Sequence, residues 1–109
     1  MYKLRDPDIE AVVTLLSTKD GGRQNASGSG YRPAHLVKEN YLTTAMQYYI
    51  GQETLYPGES CLANIWFITP EAYPQSLWVG KNIQFQEGGR VVGYANVTQI
   101  NNELLLKHS

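Results

Sequence analysis

The spacing of glycine and proline constrains this chain more than any other feature. Ten glycines and five prolines are spread along the sequence, and no stretch of about 15 residues has the periodicity of an amphipathic helix. The segments between them are rich in tyrosine, valine, isoleucine and threonine, residue types that favour pleated, half-buried strands. About six short strands separated by turns predict an all-β fold, which is a small antiparallel β-barrel or sandwich.

Alternation of apolar side chains locates the strands. In segment 9–16, Ala11, Val13 and Leu15 fall on one face. In segment 60–68 both alternating sets are largely apolar, which predicts a strand that is covered on both faces. Further strands are predicted at 31–37, 83–86 and 90–100.

Glycine and proline also predict the turns. Tyr56-Pro57-Gly58-Glu59 has the pattern of a type II turn, and Gly88-Gly89 has that of a tight hairpin turn. The alternation in the last strand is imperfect near Gly93, which predicts a β-bulge or a close backbone approach. Segment 41–49 is compatible with either a helical turn or a strand. Loops are predicted at 19–30 and 70–74.

Size and charge limit the functions that are open to the chain. Its 109 residues make one domain. Nine lysines and arginines against ten aspartates and glutamates give a net charge of -1, whereas a protein that binds nucleic acid by bulk charge is more basic. No apolar run is long enough to span a membrane, and residues 1–8 lack the apolar core of a signal peptide. The single cysteine, Cys61, suits a reducing compartment, so we expect a cytoplasmic protein.

Residues that carry enzyme chemistry are sparse. The nearest approach to a phosphate-binding P-loop, Gly80-Lys81-Asn82, lacks the hydroxyl residue and the upstream glycine. The two histidines, His35 and His108, lie far apart in sequence and give no metal-ligand cluster. Cys61 and His35 would make a nucleophilic pair on paper, but a small core residue explains Cys61 better. We therefore expect a protein without catalytic residues, metal or cofactor.

Basic and aromatic residues near the predicted turns are candidates for a binding surface. Converging cations would contact phosphates, and exposed tyrosines would stack on bases. The alternative is that the charges are scattered and solvated, and that the tyrosines fill the core or its rim. The cations are Arg23, Arg32, Lys38 and Arg90, and the tyrosines are Tyr41, Tyr48, Tyr49 and Tyr56.

Four motifs follow one another in a specific order. They are Leu-Ser-Thr-Lys-Asp-Gly-Gly-Arg at 16–23, Gly-Tyr-Arg-Pro at 30–33, Tyr-Pro-Gly-Glu at 56–59 and Gln-Glu-Gly-Gly-Arg-Val-Val-Gly at 86–93. With them, residues 9–100 resemble the third, C-terminal domain of translation elongation factor Tu. The resemblance implies a six-stranded antiparallel β-barrel, preceded by an N-terminal extension at 1–8 and followed by a C-terminal tail at 101–109. The GTPase domain and the second barrel of the full factor have no counterpart here, so we expect a stand-alone copy of one domain.

The resemblance also implies an RNA-binding surface, because in the family this barrel contacts the T-stem backbone of tRNA. Glu87 and Gly88 match the family's Glu-Gly, and Thr43 aligns with a threonine of a neighbouring strand. Ala34 stands where the family has glutamine, so one side-chain hydrogen bond to the tRNA backbone is missing. The predicted RNA-binding residues are Arg32, Lys38, Thr43, Glu87, Gly88 and Arg90.

In the family the barrel also packs on the GTPase domain, and an exposed apolar face of more than a few hundred Å² is uncommon on a monomer. A solitary copy must make that face polar, dimerise through it or cover it with a partner. Our preferred hypothesis is a non-enzymatic module that binds a protein, either a translation GTPase or a toxin, in which case it would be an immunity or decoy protein. The alternative is tRNA binding. The predicted partner-binding residues are Tyr48, Tyr49, Trp66 and Trp78.

Overall fold

The computed structural model describes residues 5–108. Its eight strands are β1 (Ile9–Leu15), β2 (Ser27–Gly28), β3 (Ala34–Lys38), β4 (Tyr41–Tyr49), β5 (Thr54–Leu55), β6 (Ser60–Phe67), β7 (Asn82–Glu87) and β8 (Arg90–Ile100). Six of them form a closed barrel in the order β1-β6-β4-β3-β7-β8, with every neighbouring pair antiparallel. The predicted all-β class is confirmed, and of the barrel and the sandwich the chain forms the barrel.

Alternating side chains fill the barrel as the sequence predicts. Along β1, Ile9, Ala11, Val13 and Leu15 are all fully buried. On β6 one set points into the same core, namely Cys61, Ala63, Ile65 and Phe67. The prediction that β6 is covered on both faces holds only at Trp66, because Leu62 and Asn64 are partly exposed and Ile68, beyond the strand, is 51% exposed.

The segment 41–49, which was compatible with two structures, is the nine-residue strand β4. Its alternation is hidden because Ala45, Met46 and Gln47 are buried in succession. Ala45 pairs with Phe67, a residue of the core, whereas Met46 pairs with Trp66 on the opposite face of the sheet. The core-facing set also includes the polar residues Thr43 and Gln47, and the outer set includes the apolar Leu42 and Met46, so neither face shows a regular pattern in the sequence.

The glycine-based turns are confirmed. Gly58 has a φ of +88°, and the Glu59 N–H donates to the Tyr56 carbonyl at 3.0 Å, as in a type II turn. In the β7–β8 hairpin, Gly88 and Gly89 have φ values of +56° and +82°, which suit a two-residue hairpin turn. Gly93 lies beside an irregularity in the register of β7 and β8 and also beneath Phe85, so both features predicted there are present.

Two predicted segments differ from the structure. The predicted strand at 31–37 begins only at Ala34, because Pro33 has no N–H for a ladder and Tyr31 makes just an isolated bridge to Gln47. The predicted loop at 19–30 contains β2, which pairs with β5 in a small second sheet. Single 3₁₀ turns occupy Thr18–Asp20, Pro70–Ala72 and Glu103–Leu105.

The residues that flank the barrel pack against it and against each other. The backbone N–H groups of Asn101 and Asn102 donate to the Asp8 carbonyl at 2.9 and 3.1 Å. Leu105, within the tail, is fully buried in the core. The tail therefore closes one end of the barrel, and it positions the groove described below. Across residues 5–108, no helix has the length and apolar character needed to cross a membrane.

Candidate functional site

The six predicted RNA-binding residues do not form one surface. In the pairing of β3 with β7, Ala34 lies opposite Gln86, so the preceding Arg32 is at the end of the barrel that holds Glu87 and Gly88. Lys38 is at the other end of β3, about 13 Å along the strand from Ala34 at the usual rise per residue. The structure thus brings four of the six to one end of the barrel, while Thr43 lies part-way along β4 and Lys38 at the far end.

The end near Glu87 holds a cluster of three residues that we call the Glu87 cluster: Arg23, Tyr31 and Glu87. Nε of Arg23 lies 2.8 Å from the Glu87 carboxylate, and the Tyr31 hydroxyl donates a hydrogen bond to the same carboxylate. The Arg23 guanidinium lies 4.8 Å from the centroid of the Tyr31 ring. Burial, followed by the contact with Glu87, raises the pKa of Tyr31. The Glu87 side chain is therefore held by the protein itself, and Arg90 faces it across the hairpin.

The opposite end of the barrel has an open groove of about 540 Å³, which we call the basic groove. It lies between the β3–β4 hairpin, the loop before β7 and the tail. Three lysines and one tryptophan dominate its chemistry. The lining residues are Leu36, Lys38, Glu39, Pro74, Gln75, Ser76, Trp78, Lys81, Asn82 and Lys107.

Trp78 and two of the lysines form the centre of the basic groove. Nζ of Lys81 and Nζ of Lys107 lie 4.6 and 5.0 Å from the ring centroid of Trp78, distances at which the ring attracts a cation. Lys81 also donates to the Ser76 carbonyl at 2.7 Å and to the Val37 carbonyl. Burial lowers the pKa of Lys81, and the nearby charge of Lys107 lowers it further. The groove thus concentrates positive charge around an exposed aromatic ring.

Two adjacent segments, 75–79 and 104–107, hold this centre in place. The N–H groups of Gln75 and Leu77 donate to the carbonyls of Leu104 and Leu105, both at 2.9 Å, and the Lys107 N–H donates to the Leu77 carbonyl at 2.7 Å. We call the outer surface of these two segments the tail face. Its large exposed apolar side chains are Trp78, Val79, Leu104 and Leu106, which are 42%, 62%, 46% and 38% exposed.

Two of the four predicted partner-binding residues are covered by the rest of the chain, Tyr49 in the core and Trp66 on the outer face of the sheet. Tyr49 is 7% exposed, and its hydroxyl lies 2.5 Å from Oγ of Ser27. Trp66 is also 7% exposed, and its indole N–H donates to the Arg5 carbonyl at 2.9 Å. Tyr48 is partly exposed and packs edge-on against Trp66. Of the four, Trp78 is therefore the residue with a broad free surface.

His35 and Cys61 are the two residues considered above as a nucleophilic pair. Each of them contacts other residues inside the protein. His35 is fully buried, and burial lowers its pKa to about 4. Its ring nitrogens lie 3.0 Å from the Pro33 carbonyl and 3.1 Å from the side-chain amide of Gln47. Cys61 is buried in the core cluster, with Sγ 3.6 Å from the Ile50 carbonyl. These contacts give both residues a role in packing.

The sequence does not predict that the residues of the basic groove lie together. Lys38 was assigned to RNA and Trp78 to a protein partner, and the structure brings the two onto one groove. Lys81 belongs to a segment that resembles a P-loop only in part, and no pattern in the sequence indicates a role for Lys107.

Within residues 5–108, no group of three or more His, Cys, Asp or Glu side chains is arranged to hold a metal ion. No protein-family model matches the sequence, and the resemblance to elongation factor Tu stays a prediction.

Proposed function

We propose that this β-barrel is a non-enzymatic binding module that holds a protein partner on the tail face. The observation that carries the proposal is the exposure of Trp78 among Val79, Leu104 and Leu106. Tryptophan is enriched among the residues that dominate the binding energy of protein interfaces. These side chains belong to two hydrogen-bonded segments and have lysines beside them, and apolar residues with a polar rim are the composition expected of such an interface.

The contrast between the two tryptophans supports this surface. Trp66 has an intramolecular partner for its indole N–H and almost no exposed area. Trp78 lines the basic groove and has 42% of its surface exposed. An exposed tryptophan has a large apolar area whose burial by a partner would be favourable.

The resemblance to elongation factor Tu suggests what kind of protein this partner is. In that family the barrel packs on a GTPase domain, so a translation GTPase is one candidate. A toxin that acts on the translation machinery is the other, and the chain would then be an immunity or decoy protein. Both candidates fit the cytoplasmic location expected from a single cysteine.

Affinity capture with the full chain tests the proposal. We expect the wild type to retain a stoichiometric protein and the Trp78→Ala variant to lose it, because truncation of a central tryptophan costs about 2 kcal/mol or more of binding. Tyr56→Ala is the matched control, since Tyr56 is 58% exposed but lies in a turn outside the basic groove. A monomeric wild type with no stoichiometric partner would contradict the proposal. Self-association that Trp78→Ala abolishes would identify a homodimer as the assembly.

The second candidate function is RNA binding near the Glu87 cluster. It is favoured by three arginines at one end of the barrel, with Arg23 bonded to Glu87, Arg90 opposite it and Arg32 next to Tyr31. Titration with a tRNA at low salt tests it, and phosphate contacts would make the affinity fall steeply as salt is added. We expect Arg90→Glu to weaken such binding and Trp78→Ala to leave it unchanged. No binding at low salt would eliminate this candidate.

A further inference from the structure

We propose that the partner segment that docks on the tail face is acidic, an extended stretch of a protein whose carboxylates enter the basic groove beside Trp78. This inference rests on the proposed function, because it names the chemistry of the partner at the same surface. It goes further by assigning Lys38, Lys81 and Lys107 to one anion-binding site.

The first argument is the charge of the basic groove. Three lysines line it, against the single carboxylate of Glu39. None of these lysines has an ion pair with a carboxylate of the described residues, whose salt bridges are Arg5–Asp8 and Arg23–Glu87. The three lysine charges repel one another. A carboxylate that enters between them relieves this repulsion and is attracted by more than one cation.

The second argument is the fixed position of Lys81. Two of the three hydrogens of its ammonium group are donated to the carbonyls of Ser76 and Val37. The third has no oxygen or nitrogen acceptor among residues 5–108, and the partly exposed group lies 4.6 Å from the centroid of the Trp78 ring. A positioned donor with a remaining hydrogen binds an incoming carboxylate oxygen without losing much side-chain freedom.

The third argument selects a protein segment over a nucleic acid. The ammonium groups of Lys81 and Lys107 already lie 4.6 and 5.0 Å from the centroid of the Trp78 ring, so a stacking base competes with them for this ring. Val79 and Leu106 add apolar surface beside the cations, and a segment that alternates acidic and apolar side chains satisfies both. The net charge of -1 gives the whole chain no general attraction for phosphate polymers.

The proposal is tested by NMR on the full chain with ¹⁵N-labelled tryptophan. The probe is a capped synthetic peptide of about ten residues in which glutamate and leucine alternate, long enough to span the groove when extended. The matched probes are the same peptide with lysine in place of glutamate, and an oligouridylate. Trp66 is the internal reference, because its indole N–H is bonded to the Arg5 carbonyl, away from the groove lining.

We expect the acidic peptide to shift the Trp78 indole signal saturably and to leave that of Trp66 unchanged. In the Lys38→Glu/Lys107→Glu double variant, both of whose sites are exposed, the affinity falls roughly tenfold or more as two exposed charge contacts become repulsive. Lys19→Glu, at an exposed site outside the groove, keeps the wild-type affinity. Added salt weakens binding to the wild type.

Three results would overturn the inference. They are no shift of Trp78 with the acidic peptide, an equal response to the lysine peptide, and a stronger response to oligouridylate. If one of them occurs while capture of a protein still depends on Trp78, only the acidic character of the partner is wrong. If capture also fails, the proposed function falls with it.

Discussion

The side-chain amide of Gln47 lies 3.1 Å from Nε2 of His35 inside the barrel. Nδ1 of the same ring lies 3.0 Å from the Pro33 carbonyl, which can only accept a hydrogen bond. Nδ1 therefore carries the proton, and Nε2 accepts from Gln47. Oε1 of Gln47 in turn accepts from the Tyr49 hydroxyl at 3.4 Å. This buried chain of hydrogen bonds is complete only while His35 is neutral.

The neutral state of His35 predicts a loss of stability in mild acid. Because burial lowers its pKa from 6.5 to about 4, the unfolded chain takes up a proton that the native chain excludes. The contribution to the free energy of unfolding is fully present above pH 6.5 and is lost as the pH falls towards 4, by at most about 3 kcal/mol. Urea unfolding at several pH values measures it. A His35→Gln variant, which lacks the titrating ring, should lose less over this range, and equal losses would contradict the assignment.

A side chain at position 93 would clash with neighbouring atoms and lower stability. A Cβ at this position would lie 2.5 Å from Cζ of Phe85 and 2.5 Å from the carbonyl oxygen of Thr14. Phe85 is fully buried, so its ring cannot swing away without disturbing the core. We expect Gly93→Ala to lower the free energy of unfolding by about 2 kcal/mol. Gly28→Ala is the control, with no atom nearer than 3.9 Å to the added carbon, and a similar loss in both variants would argue against this explanation.

Alanine substitution of the two tryptophans should lower the free energy of unfolding by different amounts. Trp66→Ala removes a buried ring that packs beside Tyr48 and hydrogen-bonds to Arg5, so we expect a loss of about 3 kcal/mol in the free energy of unfolding. Trp78→Ala removes an exposed ring and should change stability by less than about 1 kcal/mol. Chemical denaturation of the two variants, followed by circular dichroism, distinguishes them. A large loss in Trp78→Ala would mean that this residue is structural rather than free for a partner.

The buried carboxylate of Asp8 should contribute strongly to the stability of the fold. It is 1% exposed, its Oδ1 accepts from Arg5 at 2.5 Å and from Asn102 at 2.9 Å, and its Oδ2 accepts from the Phe67 N–H at 2.7 Å. Asp8→Ala leaves these donors without their acceptor and should cost about 3 kcal/mol of stability. Asp8→Asn keeps one oxygen and should cost less. Thermal unfolding compares the two, and equal midpoints would show that the carboxylate is not needed.

Much of the barrel follows from local rules in the sequence. The alternation in β1 predicts its buried face, and the glycines at 58, 88 and 89 predict turns that need positive φ. The pairing of β2 with β5 was missed, because two strands of two residues each leave no periodicity to detect. The sequence does not identify β4 as a strand, because polar and apolar side chains occur on both of its faces.

The candidate site is less predictable, since it depends on contacts between distant parts of the chain. The sequence does not distinguish Trp66 from Trp78 as buried or exposed. The structure does, because Trp66 is covered and hydrogen-bonds to the Arg5 carbonyl, whereas Trp78 lies at the surface beside the lysines at 81 and 107. Lys38 and Lys107 share a groove because the tail returns to the end of β3, which no local pattern encodes.

Oxidative footprinting of the full chain, with and without its captured partner, tests the central claim most directly. Trp78, Tyr56 and Trp66 serve as the exposed site, the exposed control and the buried reference, at 42%, 58% and 7% exposure. If the tail face is the docking surface, the partner slows oxidation of Trp78 several-fold and leaves Tyr56 and Trp66 unchanged. A complex in which Trp78 is oxidised as fast as in the free chain would contradict the account.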